Sequence, residues 1–431
     1  MAASESLLSS AEHHQKVVVM GVGYVGLSVC QAAVRARHQV TGLDIDPARV
    51  EAIKNGTPPP DSLTATELTE LLDQGFTTTT DPESLTAADT VVICVPTPLR
   101  AGLPDLSAVE TAARTLRDRL RPGMLVVLES TSHPGTTDNV LAPILAESGL
   151  VIGADIALAY SPERIQPGNA QFNIHNTPKI VGGLTPNCTE RATAFYRTLV
   201  DTVVVAQGPR EAEMAKLLEN IYLNVNIALV NEIATICGEL EIDVWDVIRC
   251  AGTKPYDFQT FTPGPGVGGH CIPIDPVYLT TLVRTELGRP ARLIETAHEI
   301  NQRMPNYVVQ QTLMALNSHG IAASRARIVL VGITYKPDAT DLRETPARPI
   351  AQMLRNAGAD VFYSDPHVST WTVDDVPVPS ADLAQRYDLA VFLQHHHVAD
   401  TESILSACSN VLDTRGKLAA TTIPVRALHW R

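Results

Sequence analysis

A cysteine in a glycine-rich loop is the residue of this chain that most clearly offers chemistry. Cys271 lies in G-V-G-G-H-C-I-P-I-D-P, where glycines leave backbone and thiol open to a substrate. Asp275 follows four residues later and is suited to binding and orienting a water molecule. Because a thiolate is a strong nucleophile, the pattern predicts covalent catalysis. The alternative is a buried, inert cysteine, which is our interpretation of the other six cysteines.

A cation and two amides share one face of a predicted helix. Lys216, Asn220 and Asn224 are spaced four residues apart in a segment too apolar for an exposed helix. Polar groups inside such a segment need partners. We therefore predict either a binding site or a polar seam satisfied by neighbouring helices.

Three glycines near the N-terminus predict a dinucleotide site. Gly21, Gly23 and Gly26 form G-x-G-x-x-G directly after a predicted strand and at the start of a predicted helix. This spacing permits a tight turn, a close approach to a pyrophosphate and close helix–strand packing. Asp44 ends the second predicted strand, where its carboxylate can bind ribose hydroxyls, and no arginine follows it directly. The motif favours NAD over NADP, and a purely structural turn is the alternative.

Two cations lie in a second predicted α/β unit, in the loop after its first strand. This is the position that the glycine motif occupies in the first unit. Lys336 and Arg343 lie in I-T-Y-K-P-D-A-T-D-L-R-E-T-P-A and suit phosphate groups, although a salt-bridged surface loop is the alternative. Histidines at 395–397 raise the question of a metal. Because consecutive residues of a strand point to opposite faces, we predict no metal site there.

The elements that must position these residues follow a β-α alternation. Strand, turn and helix patterns recur from Lys16, and a second β-α series begins at Arg327. Between them lie long helical stretches at about Glu211–Leu240 and Arg292–Leu316, the latter interrupted at Pro305. The pattern predicts an α/β protein with two Rossmann-like doubly wound parallel-sheet domains joined by a central helical domain with a long connecting helix. The expected divisions are a flexible tail (1–15), an NAD-binding domain (16–207), a central helical domain (208–318) and a second α/β domain (319–431).

Composition limits the possible partners. The 431 residues include 45% hydrophobic and 19% charged residues, which is typical of a globular chain with a large core. A formal net charge of −14 disfavours nucleic-acid binding. The sequence shows neither a long uninterrupted apolar run nor a secretory signal, and its seven cysteines contain no C-x-x-C pair. We therefore predict a cytoplasmic protein with no nucleic-acid or membrane partner.

In this order the motifs resemble the UDP-glucose/GDP-mannose dehydrogenase family, over nearly the whole chain after residue 15. Further matching segments are V-P-T-P at 95–98, E-S-T at 129–131, S-P-E-R at 161–164 and E-M-A-K-L-L-E-N at 213–220. The resemblance implies an NAD domain, a central dimerisation domain and a C-terminal UDP-binding domain. It also implies oxidation of the carbon-6 alcohol of a nucleotide sugar to a carboxylate, with two NAD consumed.

The resemblance assigns roles to particular residues. Cys271 would capture the aldehyde intermediate as a thiohemiacetal, which becomes a thioester that water hydrolyses. Lys216 would stabilise the developing oxyanion, and Asn220 would help to hold the same oxygen. Thr131 and Asp275 would position the water and relay protons.

The resemblance also implies an acid or base and the binding residues. Glu163 matches the family's active-site glutamate. The implied NAD-binding residues are Gly21, Gly23, Tyr24, Val25, Gly26, Asp44, Val95, Pro96, Thr97, Thr131 and Arg343. The implied UDP-sugar-binding residues are Glu163, Arg164, Lys216, Asn220, Phe261, Gly266, Gly268 and Lys336.

One departure from the family pattern concerns the sugar. Glucose-type members have a second glutamate four residues after the first, whereas this chain has Pro167, within S-P-E-R-I-Q-P-G-N-A. Pro167 removes a carboxylate and stiffens the backbone, and Arg164 and Asn169 replace smaller or apolar groups. The loop therefore resembles the branch acting on UDP-N-acetylhexosamines, which predicts UDP-GlcNAc or UDP-ManNAc. UDP-glucose is the alternative.

Two further expectations concern assembly and activity. The segment from about Glu211 to Ser318 has more apolar positions than one packed face requires, and the resemblance points the same way, so we expect a homodimer or a higher homo-oligomer. A catalytically silent NAD or nucleotide-sugar binding protein is the hypothesis from another class. A silent protein of this kind would be recognised by the loss of Cys271 or Lys216 from its sequence, and both residues are present.

Overall fold

The computed structural model describes residues 14–60, 62–165 and 171–418 and the backbone of 426–428. The chain forms two compact units, Met1–Leu218 and Glu219–Arg431. Pro167 and Asn169, the residues on which the sugar prediction depends, lie outside the described residues.

Within the described residues, the first unit is built on a sheet of eight strands. The strands of this unit, including a short hairpin formed by the fifth and sixth, are β1 (Lys16–Met20), β2 (Gln39–Leu43), β3 (Thr77–Thr79), β4 (Thr90–Ile93), β5 (Leu99–Arg100), β6 (Leu103–Pro104), β7 (Leu125–Leu128), β8 (Ala157–Tyr160), β9 (Lys179–Gly183) and β10 (Val203–Val205). The helices are α1 (Tyr24–Arg35), α2 (Pro47–Lys54), α3 (Ala65–Asp73), α4 (Ser107–Arg117), α5 (Ala142–Ala146) and α6 (Pro186–Tyr196), with a 3-10 helix at Pro82–Ala87 and a π-helix at Thr136–Leu141. The order in the sheet is β10-β9-β8-β7-β4-β1-β2-β3.

The buried sequence of the first strand shows why the sheet is covered on both faces. In K-V-V-V-M, the four residues after Lys16 are all buried. Val17 and Val19 belong to one hydrophobic cluster, whereas Val18 and Met20 belong to another. Because side chains alternate between the faces of a strand, the two clusters pack on opposite faces of the sheet. The predicted doubly wound α/β class is confirmed.

One pair of strands in the large sheet runs in the opposite direction to the others. β9 pairs antiparallel with β8, while the other paired strands of the large sheet are parallel. A parallel connection needs a crossover, usually a helix, that returns the chain to the starting edge. The described residues between β8 and β9 contain no helix, and the chain therefore reverses. The large sheet is therefore parallel except at this edge.

The second unit contains a smaller parallel sheet. Its strands are β11 (Arg327–Val331), β12 (Asp360–Ser364), β13 (Trp371–Val373), β14 (Val376–Val378), β15 (Tyr387–Phe392), β16 (Cys408–Asp413) and β17 (Arg426–Leu428). The parallel sheet has the order β12-β11-β15-β16-β17, and β13 and β14 form a separate hairpin. The helices are α7 (Pro209–Glu239), which begins in the first unit, α8 (Val244–Ala251), α9 (Asp275–Leu287), α10 (Arg292–Ser318), α11 (Ala347–Asn356) and α12 (Thr401–Ala407), with a 3-10 helix at Ala323–Arg325.

Buried asparagines join α7 to α10. The side-chain amide of Asn301 donates to the side-chain oxygen of Asn224 at 2.9 Å, and that of Asn231 donates to Asn301 Oδ1 at 2.9 Å. The polar-seam alternative therefore applies to Asn224. The predicted interruption at Pro305 is wrong, because α10 continues through that residue. Pro305 is buried, and we infer that packing outweighs the hydrogen bond that a proline removes.

The connecting helix α7 has an unusually apolar sequence. An 18-residue window has a mean hydropathy of 1.3, so α7 passes a test for membrane-spanning helices by length and composition alone. The core helix of a soluble protein passes the same test, although only 33% of this window is buried. Large apolar residues of α7 that remain exposed are Met214, Leu218, Tyr222, Leu229 and Ile236.

Candidate active site

The glycine motif lies between β1 and α1, as predicted. Gly21 has a φ of +92°, and a Cβ there would lie 2.5 Å from the Cys94 carbonyl oxygen. A Cβ on Gly26 would lie 1.9 Å from the Gly21 carbonyl oxygen, whereas one on Gly23 would meet nothing within 4 Å. The turn therefore excludes side chains at its two ends and leaves open space at its centre, where a pyrophosphate can approach.

The start of α1 adds an anion-binding feature to this turn. Tyr24 and Val25 form the first turn of the helix, which has neither a side-chain cap nor an acidic residue. Uncapped amides and the helix dipole favour a phosphate group at this position. These observations fit the dinucleotide predicted from the sequence.

Asp44 is buried at the carboxyl end of β2. Its Oδ2 accepts the Val22 N–H at 2.9 Å and lies 3.1 Å from Arg49 Nη1. The sequence places no arginine directly after Asp44, but the fold brings Arg49 back to it through α2. The lack of an arginine directly after Asp44 therefore did not exclude a cation beside this carboxylate.

Further predicted cofactor residues follow neighbouring strands. Val95, Pro96 and Thr97 follow β4, and Thr131 follows β7. The hydroxyl of Ser130 donates to the Val95 carbonyl at 2.8 Å and joins the two loops. Because β1, β4 and β7 are adjacent and parallel, these residues share one edge of the sheet with the glycine motif.

A buried charged cluster lies beside this edge. Lys179 Nζ is 2.9 Å from Glu129 Oε2, and these side chains are only 5% and 0% exposed. The hydroxyl of Tyr196 donates to Glu129 Oε1. The motif E-S-T pointed to Glu129 but not to this role, and a lysine in an apolar predicted strand is the sequence signal that could have identified Lys179.

Glu163 is buried close to this cluster. Burial raises the pKa of Glu163 above its usual range, while the positive charge of Lys179 opposes this effect. The positive charge of Lys216 also lowers the pKa of Glu163. These two predicted residues therefore interact electrostatically. Arg164 donates to the Pro178 carbonyl at 2.6 Å. The first unit therefore offers a buried carboxyl group whose raised pKa suits it to proton transfer.

In the second unit, the fold brings together three residues from the predicted catalytic set. The backbone N–H of Asp275 donates to the Cys271 carbonyl at 2.8 Å, and α9 begins at Asp275. The side-chain amide of Asn220 donates to Asp275 Oδ2 at 2.5 Å. Asn220 and Asp275 are buried, and Cys271 is half-buried. A thiol and an oriented carboxyl group therefore occur in one turn of chain.

The glycine loop before Cys271 packs on the segment that carries Lys336 and Arg343. A Cβ on Gly268 would lie 2.5 Å from Tyr335 Cβ, and the backbone N–H of Gly269 donates to the Arg343 carbonyl at 2.9 Å. The space that a Cβ on Gly268 would need is therefore filled by Tyr335, which leaves only the backbone of Gly268 available to a ligand.

The remaining predicted residues of this unit are dispersed around the loop. Gly266 has a φ of +132°, and Phe261 packs edge-on against Tyr222 of α7 with ring centroids 5.9 Å apart. Lys336 Nζ lies 5.7 Å from the centre of the Tyr335 ring. Arg343 is exposed and pairs with Asp341 at 2.5 Å, which agrees with the salt-bridge alternative.

Sequence reasoning missed Arg415. It lies two residues after the carboxyl end of β16, and its Nε donates to the Leu393 carbonyl at 2.9 Å. A Cβ on Gly264 would lie 2.5 Å from Arg415 Nη1, so this guanidinium abuts the loop that leads to Cys271. Burial lowers the pKa of Arg415 to about 10. The sequence signal that could have identified Arg415 was its position in D-T-R-G, just after a predicted strand.

Comparisons with known proteins agree with this geometry. Models of the UDP-glucose/GDP-mannose dehydrogenase family match residues 15–200 (NAD binding domain), 210–303 (central domain) and 329–419 (UDP binding domain). The chain belongs to this family. It is an NAD-dependent nucleotide-sugar dehydrogenase, and NAD, the predicted cofactor, is confirmed.

Individual relatives cover almost the whole chain. The UDP-N-acetyl-D-mannosamine dehydrogenase of Yersinia pestis is 35% identical, with 89% of this chain and 92% of the relative covered. The NDP-N-acetyl-D-galactosaminuronic acid dehydrogenase of Ralstonia nicotianae is also 35% identical, with 94% and 97% covered. The solved structure of a UDP-D-ManNAc dehydrogenase from Pyrococcus horikoshii has a TM-score of 0.86 and 29% identity, covering 96% of this chain and 98% of its own.

Proposed function

We propose that this enzyme oxidises the carbon-6 primary alcohol of a UDP-N-acetylhexosamine to a carboxylate in two steps. UDP-N-acetylmannosamine is the first substrate to test, and UDP-GlcNAc is the second. The observation that carries this choice is the near full-length similarity, at 35% identity, to relatives named for N-acetylated sugars. Sequence motifs alone left UDP-glucose as the alternative.

Cys271 is the proposed nucleophile. Its thiolate adds to the carbon-6 aldehyde that the first oxidation forms, and the resulting thiohemiacetal loses a hydride in the second oxidation to become a thioester. Water attacks the thioester, the carbon–sulfur bond breaks, and the thiolate is regenerated as the carboxylate leaves. NAD, when bound, would accept one hydride in each oxidation, so that two NAD are consumed per sugar.

The hydrogen bond between Asn220 and Asp275 supports their proposed roles. An amide nitrogen carries two protons. One is donated to Asp275, which leaves the second to hold an oxygen of the substrate. Asp275, fixed by this bond and by the start of α9, orients the hydrolytic water together with Thr131. Lys216 stabilises the oxyanion that forms when the thiolate adds.

Glu163 is the proposed acid or base. A base that works near neutral pH needs a pKa raised above that of an ordinary carboxyl group, and burial acts on Glu163 in this direction. Lys179 is the neighbouring charge that limits the rise.

The binding residues are proposed in the positions that the family motifs give them. The turn at Gly21–Gly26, Asp44 and the loops after β4 and β7 bind NAD, to which Arg343 contributes. Arg164, Phe261, Lys336 and the backbone of Gly266 and Gly268 bind the UDP-sugar.

Comparison of three UDP-sugars tests the proposal. We expect kcat/KM for UDP-N-acetylmannosamine or UDP-GlcNAc to exceed that for UDP-glucose, with two NADH formed per sugar. A UDP-glucose advantage greater than about tenfold, equivalent to roughly 1.4 kcal/mol in the transition state, would contradict the assigned sugar. One NADH per sugar would contradict the four-electron route, and tight binding without turnover would support the silent binding protein.

We also propose a homodimer, or a higher homo-oligomer, through α7. Tyr222, Leu229 and Ile236 are exposed and lie seven residues apart, so they form an apolar stripe along one face. Light scattering at micromolar concentration should give at least twice the monomer mass of 46.4 kDa. Replacing Leu229 and Ile236 with glutamate should yield the monomer mass, whereas the same change at the isolated exposed residue Val398 should not.

The domain divisions and location remain proposals as well. Domains at 16–207, 208–318 and 319–431 agree approximately with the ranges of the three family models. All seven cysteines lie in described residues and none of them forms a disulfide there, which supports a reducing compartment such as the cytoplasm.

A further inference from the structure

Three side chains from neighbouring strands converge at one edge of the smaller sheet. Asp338 lies in the loop after β11, His367 in the loop after β12 and His396 in the loop after β15. These strands are adjacent in the order β12-β11-β15. One potential ligand atom from each side chain lies within 4.8 Å of the other two. Imidazole nitrogens and carboxylate oxygens are ligands that zinc and related divalent ions take.

The convergence overturns one premise drawn from the sequence. The argument against a metal assumed that residues 395–397 belong to a strand, but β15 ends at Phe392. In the loop that follows, both His396 and His397 reach Asp338. The backbone N–H of Asp338 donates to His396 Nδ1 at 2.9 Å, and His397 Nδ1 lies 2.5 Å from Asp338 Oδ2.

A second set of contacts orients the three side chains. His396 Nε2 lies 3.1 Å from Asp365 Oδ2, and the other oxygen of Asp365 accepts the backbone N–H of His367 at 2.9 Å. The backbone N–H of His397 donates to Asp338 Oδ1 at 2.9 Å. Carboxylate–histidine pairs of this kind fix the orientation of ligands around protein-bound metals.

His367 supplies the observation that points to a ligand. Its Nε2 is a buried atom with no hydrogen-bond partner among the described residues, and it lies 3.9 Å from Asp338 Oδ1. Ligand atoms of a tetrahedral zinc ion are about 3.3 Å apart, so small side-chain rotations would bring both atoms into one coordination sphere. Coordination by His396 Nδ1 would exchange its hydrogen bond to the Asp338 backbone for the metal.

We propose that Asp338, His367 and His396 bind a divalent transition-metal ion of the Zn²⁺ class. Asp365 and His397 are the orienting partners. The backbone at Asp338 has a φ of +53°, an uncommon conformation for a residue other than glycine, and it turns the carboxylate and N–H towards the histidines. Lys336 lies two residues earlier, so a bound ion would restrain the loop that carries this cation.

Cobalt and zinc titrations of the full-length protein test the site directly. After removal of metals with a chelator and dialysis, Co²⁺ should produce visible ligand-field absorption at about one equivalent, and Zn²⁺ should abolish it. A near-ultraviolet sulfur-to-cobalt charge-transfer band would instead indicate a cysteine site and would overturn the proposal. Absence of saturable Co²⁺ or Zn²⁺ binding would overturn it as well.

Variants assign the binding to these residues. His367→Ala should weaken Zn²⁺ affinity by at least 100-fold, and His397→Ala should weaken it by about 10–100-fold. His175→Ala is the matched control for His397→Ala, because His175, like His397, is an exposed histidine paired with an aspartate. The distance from His175 to Asp201 is 3.3 Å. Equal affinity in His367→Ala and the parent would overturn the assignment.

Circular dichroism in the absence of metal checks that each variant is folded. Should His367→Ala be unfolded, Asp338→Asn provides the second test, since it keeps the size of an exposed side chain while removing the charge. Undiminished Zn²⁺ affinity in folded Asp338→Asn would also overturn the proposal.

Discussion

The buried pair of Lys179 and Glu129 allows a quantitative test of the polar cluster in the first unit. In Lys179→Met the carboxylate of Glu129 loses its cation, which lies 2.9 Å away where both side chains are almost fully buried. At an effective dielectric constant of about 20, charges at this distance attract each other by about 6 kcal/mol before solvation is considered. Because desolvation of the lysine offsets part of this attraction, we expect a net loss of about 3–5 kcal/mol in the free energy of unfolding.

Urea unfolding followed by circular dichroism measures this loss. Lys179→Arg keeps the charge and is the matched control. Adding Glu129→Gln to Lys179→Met should recover most of the stability, because no uncompensated buried charge remains. A loss below about 1 kcal/mol in Lys179→Met would refute the view that this pair is an energetic centre of the unit.

The same substitution has a kinetic consequence through Glu163. Lys179 lowers the pKa of Glu163, so its removal should raise that pKa further. If Glu163 acts as a base, the acid limb of the kcat/KM profile then shifts to higher pH in Lys179→Met and not in Lys179→Arg. An unchanged profile would refute the proposed coupling between Lys179 and a catalytic Glu163.

Three further predictions concern the catalytic residues and pH. Cys271→Ser should bind the UDP-sugar but form uronate far more slowly, since a hydroxyl is a weaker nucleophile than a thiolate; uronate formation at the parent rate would contradict the covalent route. Lys216→Ala should reduce kcat by about 100-fold or more without loss of folding, and near-normal turnover would leave the lysine a structural role. Glu213 is buried, accepts hydrogen bonds from Gly135 and Thr137, and has a pKa raised by burial to about 7. Because this pKa lies above its unfolded value of 4.5, its contribution to stability is full below about pH 4.5 and is lost as the pH rises through about 7. The loss is on the order of 3 kcal/mol, and Glu213→Gln should flatten this part of the unfolding profile; an identical slope in variant and parent would refute the assignment.

Local patterns determined much of the fold and the cofactor site. The turn at Gly21–Gly26 was predictable because each glycine answers a requirement set within a few residues, and the strand predicted before Asp44 is β2. Asp44 was predictable for the same reason, since it directly follows that strand. Family motifs also pointed to Cys271 and Asp275, which are only four residues apart and share one turn of chain.

The tertiary structure decided the contacts between distant segments. The hydrogen bond from Asn220 to Asp275 spans 55 residues, and Lys179 pairs with Glu129 only because β9 reverses direction beside β8. Arg415 reaches the loop before Cys271 through elements whose packing no local pattern specifies. Spacing along a chain records local geometry, whereas the pairing of buried charges depends on which segments the sheet and helices bring together. For this reason the chemistry of each residue type could be inferred from the sequence, but the residue that pairs with it in the fold could not.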